Sequence, residues 1–181
     1  MAFLELAQKR YSVRRYQDRP VERIVLEQCL EAARLAPSAS NSQPWFFVVV
    51  DDPSLKDAVA RTTFNAVISF NRFAVQAPVI VAVLCRNRPI QRVAGVFRGI
   101  GYSQIDVGSA TEHFCLQAAE MGLGTCILGW FSQAGIRRLL SIPRGWSIAL
   151  LITVGYPADQ LREKRRKPPG ELFTYNKSPR G

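Results

Sequence analysis

The chain has 181 residues, 48% of them hydrophobic, enough to bury the core of a single domain spanning 1–181. No apolar run approaches the ~18 residues that a membrane-spanning helix needs, and the N-terminus lacks the apolar stretch of a signal peptide, so a cytoplasmic, non-membrane protein is expected. The net charge is 24 − 14 = +10, but half of it lies in the last twenty residues with no base-reading or stacking motif beside it, so nucleic acid is not an expected partner.

In chain order, Phe3, Leu4 and Ala7 recur at helical spacing and predict a short helix over 3–9. Asp18-Arg19-Pro20-Val21 reads as a helix start, with Asp as cap and Pro in the first turn. Leu26, Cys29, Leu30 and Ala33 then give an apolar stripe to about Leu35. A strand is expected from Trp45 to Val50. Asp51-Asp52-Pro53-Ser54 starts a second helix over 54–62, with helical structure continuing to about Phe70. Ala77 to Cys85 is nearly all apolar and β-branched, the pattern of a strand covered on both faces.

The segment 86–103, with four arginines among Gly95, Gly99 and Gly101, is given no element. Val107, Ala110, Phe114, Ala118 and Met121 predict a long helix from Ser103, stopped by Gly122-Leu123-Gly124. Thr125 to Trp130 reads as a short strand or turn, Phe131 to Leu140 as a helix, and Trp146 to Pro157 as a strand. Helices alternating with a few buried strands make an α/β or α+β arrangement around one sheet.

Four widely spaced cysteines without a C-x-x-C pair, and His113 as the single histidine, give no support for a metal, dithiol or Ser-His site. No glycine-rich dinucleotide fingerprint and no phosphate-binding loop of the G-x-x-x-x-G-K type is present. Two stretches carry denser chemistry. Ala36-Pro37-Ser38-Ala39-Ser40-Asn41-Ser42-Gln43-Pro44-Trp45 packs three hydroxyls and two amides between prolines, either a polar turn or a grip on a small polar molecule. In Arg10-Tyr11-Ser12-Val13-Arg14, an extended backbone turns Arg10, Ser12 and Arg14 to one side. That is either a solvated basic strand or a pair of guanidiniums facing one ligand. Gly129 marks either a simple turn or a close approach of backbone to something flat.

Taken together, these stretches resemble a known family. Arg10-Tyr11-Ser12-Val13-Arg14 is similar to its R-x-S-x-R opening, and Pro37 to Trp45 to its P-S-x-x-N-x-Q-P-W loop. Gly122-Leu123-Gly124-Thr125-Cys126 followed by Leu128-Gly129-Trp130 resembles its G-L-G-x-C segment. Gly155-Tyr156-Pro157 and Lys164-Arg165-Arg166-Lys167-Pro168 resemble its G-Y-P and K-x-R-x-P close. The motifs run in order through nearly the whole chain, and the family is that of the nitroreductase-like FMN oxidoreductases.

The resemblance implies a mixed central sheet flanked by helices, in an intertwined homodimer with FMN held in the interface by both chains. Arg10, Tyr11, Ser12 and Arg14 would come from one chain. The loop residues Pro37, Ser38, Ser40, Asn41 and Gln43 would come from the other and address ribityl hydroxyls and ring carbonyls. Asn71 would read the flavin edge, Leu128, Gly129 and Trp130 would lie beside the ring, and Lys164 and Arg166 would bind the phosphate together with Arg10. Arg14 would stabilise negative charge on the ring, and Phe70 or Trp130 would either stack on the acceptor or be core. The C-terminal tail, about 168–181, would reach the partner subunit.

The implied activity passes reducing equivalents from NAD(P)H to a nitroaromatic or quinone acceptor by a ping-pong mechanism, without a catalytic acid–base residue. The alternative is a flavin-binding protein with a sequestering or dehalogenating role and little NAD(P)H turnover. The chain is short, and 86–105 leaves little room for the helical excursion that covers the pocket of larger members.

Overall fold

A computed structural model describes residues 2–86, 101–160 and 163–178. Four strands form one sheet in the order β1-β2-β4-β3: β1 is Trp45–Val50, β2 Val79–Cys85, β3 Gly124–Leu128 and β4 Ser147–Gly155. All three strand pairs are antiparallel, and an isolated parallel bridge joins Ser12 to Thr125 of β3 at the sheet edge.

The residues of β2 are all buried, as its apolar run requires. Their side chains alternate between two cores. Val79, Val81 and Val83 face α2 (Arg23–Arg34) and α4 (Tyr102–Glu120), where Leu26, Cys29, Phe114 and Ala118 meet them. Ile80, Ala82 and Leu84 face α3 (Pro53–Arg61) and α5 (Gln133–Leu139), through Val59, Ala60 and Ile136. The first helix, α1, covers Phe3–Lys9, and a last short turn of helix, α6, covers Pro169–Leu172.

The glycines after α4 divide two tasks. Gly122 takes φ +80°, and the Leu123 and Gly122 amides donate back to the Ala118 and Ala119 carbonyls, closing the helix as a Schellman turn. Gly124 opens β3 directly under Val13, where an added Cβ would lie 2.4 Å from a Val13 methyl. Asp52 caps α3, accepting from the Leu55 amide at 2.8 Å, with Pro53 as its first residue. His113 lies with Nδ1 3.3 Å from the Ala32 carbonyl, a tie between α4 and α2.

Two expectations need correction. The helix expected to start at Asp18, α2, starts at Arg23, with Glu22 at its N-cap. The segment before it is held extended by tertiary contacts: Gln17 N–H donates to the Tyr156 carbonyl, and Arg19 lies 3.8 Å from the centre of the Tyr156 ring. Helical structure also stops at Arg61 instead of running to Phe70. There the Asn65 side chain accepts from the Val67 and Ile68 amides, an Asx turn that competes with helix. A 3-10 turn follows over Arg72–Gln76. Most of the segment 86–103 lies outside the described residues.

The Val13–Gly124 contact yields a test. Gly124→Ala forces Val13 and β3 apart and should destabilise the fold by about 1–3 kcal/mol, the usual cost of overpacking. Urea unfolding would read this, and Val13→Ala in the same chain should recover part of it. Full stability of the single Gly124→Ala variant would contradict the contact.

Candidate functional site

The segment after α1 carries the first half of the site. Arg10 leaves the helix with extended backbone, and Val13 N–H donates to the Thr125 carbonyl at 3.0 Å. Val13 is fully buried, so its neighbours at alternate positions turn the other way. Asp159, just beyond β4, clips the segment: its carbonyl and Oδ1 accept from the Tyr11 hydroxyl at 2.9 and 3.1 Å, and Oδ2 accepts from Arg14 N–H at 3.4 Å. Burial and the Asp159 carboxylate push the Tyr11 phenol up to about 12.

A cavity of about 670 Å3 opens over this segment, lined by Arg10, Tyr11, Ser12, Arg14, Glu163, Lys164, Arg165 and Arg166. Five cations line it against one carboxylate, Glu163. Arg10 Nε pairs with Glu112 Oε1 of α4 at 3.1 Å. Lys164 Nζ donates to the Ala7 carbonyl. Its ammonium is pushed below the ordinary lysine range, first by burial and then by the nearby Arg10 and Arg166. Like charges gathered this closely repel, and an anion among them relieves the repulsion. Arg14 lies 5.9 Å from the centre of the Phe73 ring and donates to the Ser12 carbonyl at 3.2 Å. The Cys126 thiol, beneath, is pushed up by burial against the opposing pull of Arg14 and Ser12.

A second group lies at the end of β3. Asn71, buried, donates from Nδ2 to the Trp130 carbonyl at 3.3 Å. The Leu128 side chain is buried in the core, whereas Trp130 is half exposed. A Cβ at Gly129 would meet nothing within 4 Å, so packing within the chain does not require glycine there.

The third group is the loop. Ser40, Asn41 and Gln43 take φ of +53°, +50° and +45°, a left-handed backbone uncommon for residues other than glycine. Ser38 Oγ accepts from Gln43 N–H at 3.0 Å, and the Gln43 amide donates to the Asn41 carbonyl and side chain. Ala39 N–H donates to Asp106 Oδ1 of α4 at 3.1 Å. Pro37, Ser40, Asn41 and Gln43 face solvent.

The fold therefore gathers Arg10, Tyr11, Ser12, Arg14, Lys164 and Arg166 around one cavity and joins Asn71 to Trp130. It leaves Pro37 to Gln43 outside that cavity's lining. Sequence reasoning missed Asp106, Glu112 and Asp159. Asp106 alone left a signal: a carboxylate inside the buried stripe of α4, beside Val107 and Ala110, must have a partner. Among the described residues no group of three or more His, Cys, Asp or Glu could hold a metal ion, and no helix is long and apolar enough to cross a membrane.

Comparison with known proteins places these features in a family. The model of the nitroreductase family matches residues 7–156. A relative from Methanothermobacter thermautotrophicus with the provisional name NADH dehydrogenase/NAD(P)H nitroreductase is 31% identical, covering 88% of this chain and 79% of that protein. The crystal structure of a nitroreductase family protein from Clostridium difficile is 30% identical, with TM-score 0.79, covering 98% of this chain and all of the other. A further structure from that species, an FMN-dependent nitroreductase, shares the fold at TM-score 0.80 and 24% identity, covering 97% and 99% of the two chains.

Inorganic phosphate should raise the thermal midpoint more than chloride at equal ionic strength, because an anion in the cavity relieves the repulsion among its cations and stabilises the ammonium of Lys164. Binding at alkaline pH should accordingly take up protons. Lys164→Ala and Arg166→Ala should each weaken phosphate about tenfold, as loss of a charge-assisted hydrogen bond does. Arg144→Ala, in the turn at the far end of β4, should leave it unchanged. Equal responses to the two salts would count against an anion site.

Proposed function

The chain belongs to the nitroreductase family, and from that membership we infer that it is an FMN-dependent oxidoreductase. It passes reducing equivalents from NAD(P)H to a small organic acceptor of nitroaromatic or quinone type, in ping-pong order. One observation carries this reading: the cavity whose five cations face a single carboxylate, with Lys164 held below its ordinary range.

The residues present fit FMN. Arg10, Lys164 and Arg166 would hold its phosphate, which carries nearly two negative charges. Ser12 and the loop residues Ser38, Ser40 and Gln43 would meet hydroxyl and carbonyl groups. Asn71 and the backbone from Leu128 to Trp130 would meet the ring, where Gly129 leaves space free of side chain. When bound, FMN supplies the two-electron chemistry that lets one site take from a donor and give to an acceptor.

The chain's own part is positioning and charge. Arg14 is a fixed positive charge that favours any state in which the bound group has gained electrons. Tyr11 and Cys126 both titrate away from neutrality, so neither is poised to move protons at physiological pH. Trp130 and Phe70, 50% and 65% exposed, offer flat apolar surface for donor and acceptor.

The active form is a homodimer. Phe3, Leu4, Leu35 and Ile105 are each at least 61% exposed in the single chain, an apolar surface that a second copy would cover. The outer side of α4 also presents Gly108, whose missing side chain has no neighbour within 4 Å. The loop Pro37 to Gln43 would complete the partner's cavity, and the tail from about 168, with Leu172, Phe173 and Tyr175 exposed, would lie on the partner. The chain forms one domain over 1–181, and its cysteines, which form no disulfide among the described residues, suit the reducing cytoplasm.

Purified protein should be yellow, bleach anaerobically with NADH or NADPH, and regain its colour with a nitroaromatic or a quinone. Parallel double-reciprocal lines are expected. A colourless protein that takes up no added FMN would sink this reading.

A further inference from the structure

The loop from Pro37 to Gln43 is shaped by its own hydrogen bonds, but those bonds do not fix where it stands on the protein. Ser38 and Gln43 close the turn, and Gln43 folds onto Asn41. One tie to the body of the fold is Asp106, whose Oδ1 accepts from Ala39 N–H. Asp106 is only 6% exposed, and its Oδ2 is fully buried with no hydrogen-bond partner among the described residues. Ser42, in the same loop, is 8% exposed and its hydroxyl is buried without a hydrogen-bond partner among the described residues. A carboxylate so buried and half satisfied is costly to a core, and apolar packing would be the cheaper choice for α4.

We propose that Asp106 is a positioning residue: through Ala39 N–H it fixes the place of the left-handed loop, so that the exposed Ser40, Asn41 and Gln43 meet FMN. This rests on the functional reading above. Asp106 lies six residues before Glu112 on α4, about 9 Å along a rigid helix. Glu112 holds Arg10 of the phosphate cavity. One helix thus sets the placement of both groups of cofactor-binding residues, each by one carboxylate.

The test titrates apoprotein with FMN, following quenching of FMN fluorescence, and separately with inorganic phosphate, following the thermal midpoint. Asp106→Ala should weaken FMN binding about tenfold or more, the effect expected when a hydrogen bond to a charged group is lost. Its response to phosphate, which reads Arg10, Lys164 and Arg166, should stay as in the wild type. Asp106→Asn keeps an acceptor for Ala39 N–H and should restore FMN affinity to within about threefold. Should Asp106→Ala fail to fold, Ala39→Pro removes the donor instead and should show the same selective loss.

Wild-type affinity for FMN in Asp106→Ala would overturn the proposal. So would equal loss of FMN and phosphate binding, the mark of a merely structural residue, or failure of Asp106→Asn to recover. A wild-type chain that itself takes up no FMN would sink the functional reading and this proposal together.

Discussion

The absence of one side chain, at Gly124, decides where the site lies. Any Cβ there would run into Val13, and without one Val13 packs flat against the start of β3. That contact, with the hydrogen bond from Val13 to Thr125, lays the segment after α1 alongside the sheet edge. Once Val13 points inward, the backbone has no freedom over its neighbours, and Arg10, Ser12 and Arg14 face the cavity. Gly155 plays the corresponding part at the end of β4, where a Cβ would lie 2.6 Å from Pro78 and 2.9 Å from Tyr16. The site-bearing segment is therefore pinned on both sides of Arg14 by close packing.

Charge is arranged on that frame with little compensation. Elsewhere several cations are paired with acids: Arg23 with Asp51, Arg34 with Glu31, and Arg19 with Glu22. At the cavity the acid nearest Arg10 is Glu112, which takes its Nε from the side, and Asp159 is engaged with Tyr11 and the backbone of Arg14. A surface built this way stores repulsion in the free protein and gives it up when an anion enters, so part of the binding energy is provided in advance by the fold.

Much of this was legible in the sequence where one local rule governs. The uniform apolar run of β2 announces a strand buried on both faces. Pro53 after Asp52 announces a capped helix, and alternation announces the common orientation of Arg10, Ser12 and Arg14. The sequence misled where a distant partner overrides a local signal. Asp18-Pro20 has the composition of a helix start, but Tyr156 and Pro157 hold the preceding residues extended. Asp106, Glu112 and Asp159 were not legible as site residues, because their roles consist of pairings with residues between 67 and 148 positions away. Lys164 and Arg166 stand within a basic run, and spacing alone does not separate them from Arg165 and Lys167. Their distinction came from the family resemblance.

The strand order has a consequence for how the chain comes to be folded. β4, the last strand to be synthesised, is inserted between β2 and β3. Until residue 155 has left the ribosome, β3 has no strand neighbour and one edge of β2 stays open, with a stretch of apolar residues exposed on each. The pairing of Val79 with Val154 closes a loop of some seventy residues, so the β1–β2 pair waits for the central strand and the sheet is completed late. During translation those open strand edges are therefore where unwanted pairing with other chains is most exposed, until the final strand arrives.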